Sequence, residues 1–219
     1  MAYPTVSAPY GLKPINLIGG QVFAGATRLL NIASGYATSI FYGDVVQIDT
    51  AGSGTIVKDT GNTTANPVGV FLGCSYVNSQ GQTIFTQYFP ANTTAPTGTT
   101  ITAYVADDPD QLFKVVLVAG TTVDGNGLTP AYLGRTMIGS NAQLVQNTGS
   151  TVTGDSKVAI YTAAGATTTA TLPIRIIDVV PDTANSSGNF CEVIVKWNAP
   201  NVTGQTVAGG HQYLNPTGV

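Results

Sequence analysis

The chain has 219 residues, of which 9% are charged and 43% hydrophobic, and its net charge is −3. Average soluble domains carry roughly 25% charged residues, so this chain has little of the charge repulsion that keeps proteins apart, which favours packing against neighbours. Its eight basic residues are scattered. Because nucleic-acid and anionic-membrane surfaces need clustered Lys and Arg, we expect neither partner.

The first 20 residues are predicted to form an extended N-terminal arm. Prolines recur through this segment at positions 4, 9 and 14, which excludes regular structure and favours an extended course. The apolar side chains between them cannot form a core by themselves and need another surface to lie on. We therefore predict that the arm binds a partner through Tyr3, Pro4, Tyr10, Leu12, Ile15, Leu17 and Ile18.

From residue 21 onward the sequence predicts an all-β protein. Helical periodicity is nearly absent, and short runs rich in Val, Ile, Thr, Tyr and Phe are bounded by Gly, Asn, Asp or Pro. A spacing of roughly 10 to 15 residues between turn clusters is typical of a barrel or sandwich. The predicted strands are residues 22–23, 28–32, 44–48, 55–58, 67–76, 82–88, 101–105, 113–118, 133–137, 158–161, 172–180 and 190–197.

Two β units and a second arm are expected. We predict a small β-barrel or β-tulip-like domain at residues 21–120 and a second β domain or extension at 121–197. The segment TTVDGNGLTP at 121–130 contains turn pairs and is interpreted as a hairpin tip or a seam between the halves. Residues 198–219 predict an irregular C-terminal arm. A single helical turn is predicted at 108–113, because Asp108 can cap it and a proline follows.

No constellation of residues predicts an enzyme, a small-molecule substrate, a metal site or a cofactor. The single histidine, His211, lies in a glycine-rich tail, a poor platform for general-base chemistry, so we interpret it as a surface or interface residue. Asp107, Asp108 and Asp110 lack the alternation and glycine of a calcium loop and are interpreted as loop and cap carboxylates. Glu192 lies in an alternating strand and is expected to point to solvent or to a neighbour.

Three further residues suggest a buried core. Cys74 and Cys191 each lie in an apolar, strand-like run, which predicts small buried hydrophobic residues; a disulfide is the alternative. Trp197 ends an apolar strand, where packing in the core is favoured over a platform for a sugar. A carbohydrate-binding β-sandwich module remains an alternative function from a different class.

One segment carries a resemblance to a known family. Its sequence reads GDVVQID from Gly43, GTIVK from Gly54 and NPVGVFLG from Asn66, and it predicts a strand, a turn at 49–54, a strand, a loop and a strand, with Gly69 allowing a bulge or close backbone approach. Over residues 42–73 it resembles the small β domain of lambda-type phage head decoration proteins. The whole chain, from YGLKPINLIGG to WNAPNVTGQ, is similar to virion structural proteins of marine and cyanobacterial tailed phages.

The resemblance implies a capsid decoration, or cement, protein of a tailed phage. Its partner would be the major capsid protein, its location the virion capsid, and its form a homotrimer whose N-terminal arm adds a strand to a sheet edge of the shell. The chain start lacks a signal-peptide pattern, so assembly is expected in the host cytoplasm. A tail or fibre component and the major capsid protein are alternatives, although the common shell fold needs a long spine helix that no run here predicts.

Overall fold

The computed structural model describes residues 6–120, 131–132, 134–161, 169–184, 190–198 and 211–214. These residues form strands and short 3-10 helices, which confirms the predicted all-β class. The strands are Lys13–Leu17 (β1), Arg28–Ile32 (β2), Val45–Ile48 (β3), Thr55–Lys58 (β4), Gly69–Val77 (β5), Thr83–Thr86 (β6), Ile101–Ala106 (β7), Gln111–Leu117 (β8), Asn141–Val145 (β9), Ala159–Tyr161 (β10), Ile174–Val179 (β11) and Cys191–Trp197 (β12). The 3-10 helices are Gly134–Met137, Pro181–Thr183 and Gln212–Leu214.

Five strands form a closed barrel, which we call the first barrel. Its strand order is β3-β4-β2-β7-β5, and pairing of β3 with β5 closes the ring. The β2–β4 pair is parallel and the other pairs are antiparallel. The sixth strand, β6, lies outside the ring because it pairs with the far half of β5.

The remaining strands form a second sheet that also closes, which we call the second barrel. Its order is β8-β10-β9-β11-β12, and pairing of β8 with β12 completes the ring. The β8–β10 contact is parallel and short: Ile160 lies opposite Leu117, and the Val118 N–H donates to the Ile160 carbonyl at 2.9 Å. β1 lies outside this ring, antiparallel to the first half of β8.

The two barrels repeat one topology in the same register. Strands β2, β3, β4, β5 and β7 correspond in order to β8, β9, β10, β11 and β12, and each pairing in one ring has a counterpart of the same direction in the other. β5 and β11 each carry a bulge at the matching position. Three pairs of facing residues in the first barrel have an equivalent pair in the second. Ile32–Ile101 corresponds to Leu117–Cys191, Ile48–Ile56 to Leu144–Ile160, and Val46–Gly69 to Ala142–Ile174.

Alternation along the strands fills each barrel interior. In a small barrel every second residue points inward, and a five-stranded ring leaves room only for side chains. Burial of these apolar groups stabilises the ring by about 25 cal/mol per Å². The inward residues of the matching strands β7 and β12 are Ile101, Ala103 and Val105, and Cys191, Val193 and Val195, all buried.

Apolar packing and a buried polar network join the two barrels. Val45 and Val70 of the first barrel belong to the same core cluster as the interior of the second. Asp44 is fully buried; one carboxylate oxygen accepts a hydrogen bond from the Ser156 hydroxyl at 2.6 Å, and the other accepts from the Lys58 ammonium at 2.8 Å. Because a buried charge is tolerated only when it is paired, this network holds the barrels in one arrangement.

The predicted division near residue 120 does not match the boundary between the barrels. The predicted first domain, residues 21–120, includes β8, but β8 pairs with β12 and β10 in the second barrel, and β1 joins it there. The barrels therefore divide between β7 and β8, at residues 107–110. The predicted seam at 121–130 lies outside the described residues.

Three local predictions are wrong. The strand predicted at 22–23 is a single bridge, in which Val22 lies opposite Asn16. Residues 109–110 form a turn in which the Gln111 N–H donates to the Asp108 carbonyl at 3.1 Å, and β8 begins at once, so no helical turn forms at 108–113. The strand predicted at 133–137 is instead the 3-10 helix Gly134–Met137, which starts at a residue with φ of +67°. A left-handed residue of this kind interrupts an extended strand.

The core predictions are confirmed. Cys74 and Cys191 are buried free thiols, and Trp197 is only 1% exposed, with its ring centroid 5.2 Å from that of Phe113. Burial raises the pKa of the Cys74 thiol to about 12, so this thiol is a poor nucleophile in the folded protein.

Candidate docking surface

One long stretch of the sequence carries no charge, and it forms one side of the first barrel. No Lys, Arg, Asp or Glu lies between Asp59 and Asp107. This stretch contributes β5, β6 and β7, which lie next to one another in the sheet. Since Lys, Glu and Asp are depleted where proteins meet, an uncharged sheet face has the composition expected of an interface.

Apolar side chains form a row on the outer face of these strands and of the neighbouring β2. On β7, Ile101 and Ala103 point into the barrel, so Tyr104 points outward, and it lies opposite Leu29 of β2. Phe85 lies on the same outer face of β6. Leu29 and Phe85 are 62% and 73% exposed. We call Leu29, Tyr104 and Phe85 the apolar row.

A shallow depression separates two members of the row. It has a volume of about 490 Å³ and is lined by Tyr104, Phe85, Leu72, Gly73 and Gln87, among others. The hydroxyl of Tyr104 donates to Ser75 at 3.3 Å, which holds the ring at the edge of the depression. An apolar side chain of a partner would fit here between two aromatic walls.

Two glycines of β5 shape this face. A Cβ at Gly69 would lie 2.3 Å from the Ala106 carbonyl oxygen, so only glycine permits the close approach of β5 and β7 there. Of the two roles predicted for Gly69, a bulge or a close backbone approach, the structure shows the second. Gly73 lies at the bulge with φ of +139°, and a Cβ there would lie 3.1 Å from the Thr86 carbonyl oxygen. Glycine is therefore needed where β5 turns to pair with β6.

Much of the predicted N-terminal arm packs against the second barrel of the same chain. Leu12 is fully buried in the core, and β1, which includes Ile15 and Leu17, pairs with β8. The assumption that these residues need an external surface is wrong for Leu12, because the second barrel supplies one. Ile18 is 49% exposed, and its contact with a partner stays a prediction. Tyr3 and Pro4 lie outside the described residues.

Tyr10 and Glu192 form an internal contact that the sequence did not predict. Glu192 is buried, not directed to solvent; it accepts a hydrogen bond from the Tyr10 hydroxyl and lies 3.0 Å from the Lys114 ammonium. Burial, and then the bond to Glu192, raise the pKa of Tyr10. The Lys13 ammonium lies 4.6 Å from the centre of the Tyr10 ring. These contacts fix the arm on the second barrel.

The lone histidine is also buried, which overturns its interpretation as a surface residue. His211 has no exposed surface, and its ring centroid lies 6.4 Å from that of Trp197. The adjacent Gln212 explains the burial: its N–H donates to the Pro67 carbonyl and its side-chain oxygen accepts from the Ile48 N–H, both at 2.8 Å. The described part of the predicted C-terminal arm, residues 211–214, thus contacts both barrels: Gln212 bonds the first, and His211 lies beside Trp197 of the second.

The acidic residues between the barrels act as turn and ion-pair groups. Asp108 accepts a hydrogen bond from the Asp110 N–H at 2.8 Å, Asp110 pairs with Lys196 at 3.1 Å, and Asp107 pairs with Arg28. Across the described ranges, no group of three or more His, Cys, Asp or Glu side chains is placed to hold a metal ion. No helix among the described residues is long and apolar enough to span a membrane.

Comparisons with known proteins identify no relative of this chain. No protein-family model matches the chain, and neither a curated protein nor a solved structure is significantly similar to it. What this surface binds must therefore be argued from its own residues.

Proposed function

We propose that this chain is a capsid decoration protein that docks on the shell of a tailed phage through the apolar row. The observation that carries the proposal is the exposure of Phe85 within the charge-free stretch and of Leu29 on the neighbouring strand β2, where it lies opposite Tyr104. The resemblance over residues 42–73 supports it as well, because this segment folds as the three adjacent strands β4, β3 and β5 of a small closed barrel. The proposed partner is the major capsid protein.

The face is suited to strengthening a shell by repetition. Burying a side chain such as Leu or Phe contributes about 1.5–3 kcal/mol, so two or three such contacts give only a modest affinity per copy. A capsid lattice repeats the contact over many copies, and symmetric assemblies multiply weak contacts. Leu29 and Tyr104 lie on strands of the closed ring, and Phe85 lies on a strand paired with it, so the backbone of the row is already ordered before binding.

Copy number in purified virions tests the proposal at the level of the particle. A decoration protein is expected at a copy number comparable to that of the shell subunit. A few copies per particle would move the chain to the tail or to a fibre, and absence from particles would contradict any virion role.

A matched pair of variants tests the surface itself. Leu29→Ser removes one member of the apolar row, while Val152→Ser changes a side chain that is 94% exposed on the second barrel. We expect Leu29→Ser to weaken binding to emptied shells by about tenfold or more, in line with the loss of one buried aliphatic side chain, and Val152→Ser to bind normally. Equal binding by the two variants would rule out the row as the docking surface.

A further inference from the structure

The structure points to a second contact on the same barrel, at the free edge of β6. This strand pairs with β5 on one side, and no described strand pairs with its other edge. Natural edge strands are protected by charges, prolines, bulges or covering segments. Residues 78–89, which contain β6 and the turn before it, include no charged residue and no proline.

The turn before β6 shows which backbone groups face outward. The Asn78 N–H donates to the Gln82 carbonyl at 2.9 Å, so the backbone groups of Gln82 point toward β5. Backbone groups alternate in direction along an antiparallel strand. Those of Ile84 therefore also point toward β5, while the N–H and C=O groups of Thr83 and Phe85 point to the free edge.

We propose that β6 pairs with β6 of a second copy of this chain, antiparallel about a two-fold axis at Ile84. In this register Thr83 of one copy lies opposite Phe85 of the other, and the outward groups form about four main-chain hydrogen bonds. The two Phe85 rings lie on one face as diagonal neighbours, about 7–8 Å apart, within reach of contact for aromatic side chains.

Charge favours a second copy over a different partner. A two-fold axis brings each residue near its own copy, so any charge close to the axis meets a like charge. Thr83, Ile84 and Phe85 lie in the middle of the uncharged stretch between Asp59 and Asp107. Pairing would also join the apolar rows of the two barrels across one continuous sheet face.

The mass of the isolated protein tests the contact, and this test does not depend on the proposed decoration function. We expect two copies in solution, or six if this contact joins trimers. Thr83→Pro removes an outward N–H and leaves the β5–β6 ladder and the closed ring intact, so it should halve the mass. The control Thr83→Val keeps the N–H and should keep the mass of the unmodified protein.

A second variant and a second measurement guard against a folding defect. Phe85→Lys places two like charges across the axis and should also halve the mass, with an unchanged circular dichroism spectrum. Hydrogen exchange should show a slow Phe85 amide in the unmodified protein and a fast one in Thr83→Pro. A monomer or a trimer for the unmodified chain at all concentrations, or a mass that survives both variants, would overturn the proposal.

Discussion

A buried histidine makes the fold sensitive to pH at the scale of one residue. Burial lowers the pKa of His211 to about 4, although the carboxylates of Asp107 and Asp108 partly oppose this effect. The ring lies between Trp197 and Tyr213, with centroids 6.4 and 5.1 Å away, so the neutral form fits among aromatic neighbours and the charged form loses hydration there.

We predict that His211 destabilises the fold in mild acid. Its pKa in the unfolded chain is 6.5, above the folded value of about 4, so the unfolded state binds the proton first as pH falls. The stability it contributes is complete above pH 6.5 and is lost as pH falls toward 4, by up to about 3 kcal/mol. Urea unfolding across this range should show a steeper loss for the unmodified protein than for His211→Gln. Parallel curves would contradict a neutral buried ring.

The buried Asp59 changes stability with pH in the opposite direction to His211. Burial raises the pKa of Asp59 from 3.8 to about 6, although the N–H groups of Gly61 and Asn66 partly offset this shift. The folded state therefore binds the proton first, and this residue adds stability as pH falls from about 6 to 4. Comparing His211→Gln with Asp59→Asn separates the two contributions, which would otherwise partly cancel.

At the scale of elements, the sequence predicted most strands and missed two for physical reasons. β1 contains Pro14, which argued against regular structure. An edge strand tolerates a proline, because the edge that faces away from its partner strand needs no N–H donor. β9 reads NAQLV, and its polar Asn141 and Gln143 gave no apolar run, yet Asn141 is buried because it accepts a hydrogen bond from Arg175. Such long-range partners cannot be seen in a local pattern.

The sequence predicted a partner contact in the N-terminal arm, and the structure adds a second candidate surface on the first barrel. Apolar residues between prolines pointed to the N-terminal arm, but Leu12 found its partner within the same chain. The apolar row was missed because Leu29, Phe85 and Tyr104 are far apart in sequence and meet only through strand pairing. The charge-free stretch between Asp59 and Asp107 was the signal in the sequence for the part of this face that Phe85 and Tyr104 form.

Because β1 pairs with β8 of the second barrel, we predict that removing residues 1–18 lowers stability in the isolated protein. The deletion exposes the edge of β8 and removes Leu12 from the core, and loss of a buried leucine alone costs about 2–5 kcal/mol. Comparing the thermal unfolding midpoint of the truncated chain with that of Leu12→Ala separates the loss of β1 pairing from the loss of the buried leucine. An unchanged midpoint for the truncation would mean that the arm serves assembly only.

At the scale of the molecule, the sequence shows no repeat of fixed length for the tandem barrels, because their connections differ in length. Residues 33–44 join β2 to β3, while residues 118–140 join the equivalent β8 to β9. The hydrophobic pattern repeats without a fixed period, and only strand pairing reveals it. Each barrel also carries one extra strand at a different place, β6 on β5 and β1 on β8, so the two copies differ in the edges they present.

The shared core between the barrels predicts that they unfold together. Val45 and Val70 of the first barrel pack into the core of the second, and the carboxylate of Asp44 bonds Ser156 across the junction, so neither barrel can open without exposing apolar surface of the other. Two probes can report each barrel separately. The single tryptophan, Trp197, reports the second barrel by fluorescence, and the buried thiol of Cys74 reports the first by its reactivity in a Cys191→Ala background.

We expect the two probes to give one midpoint in urea. Asp44→Ala leaves Lys58 without its buried partner and breaks the bond to Ser156, which should cost about 3–5 kcal/mol. This variant should also separate the two midpoints, because only the apolar contact between the barrels remains once the polar network is lost. The control Asp49→Ala removes a carboxylate from an exposed turn and should leave the midpoints together. Separate midpoints in the unmodified protein would instead mean that each barrel folds as an independent unit and that the buried network only orients them.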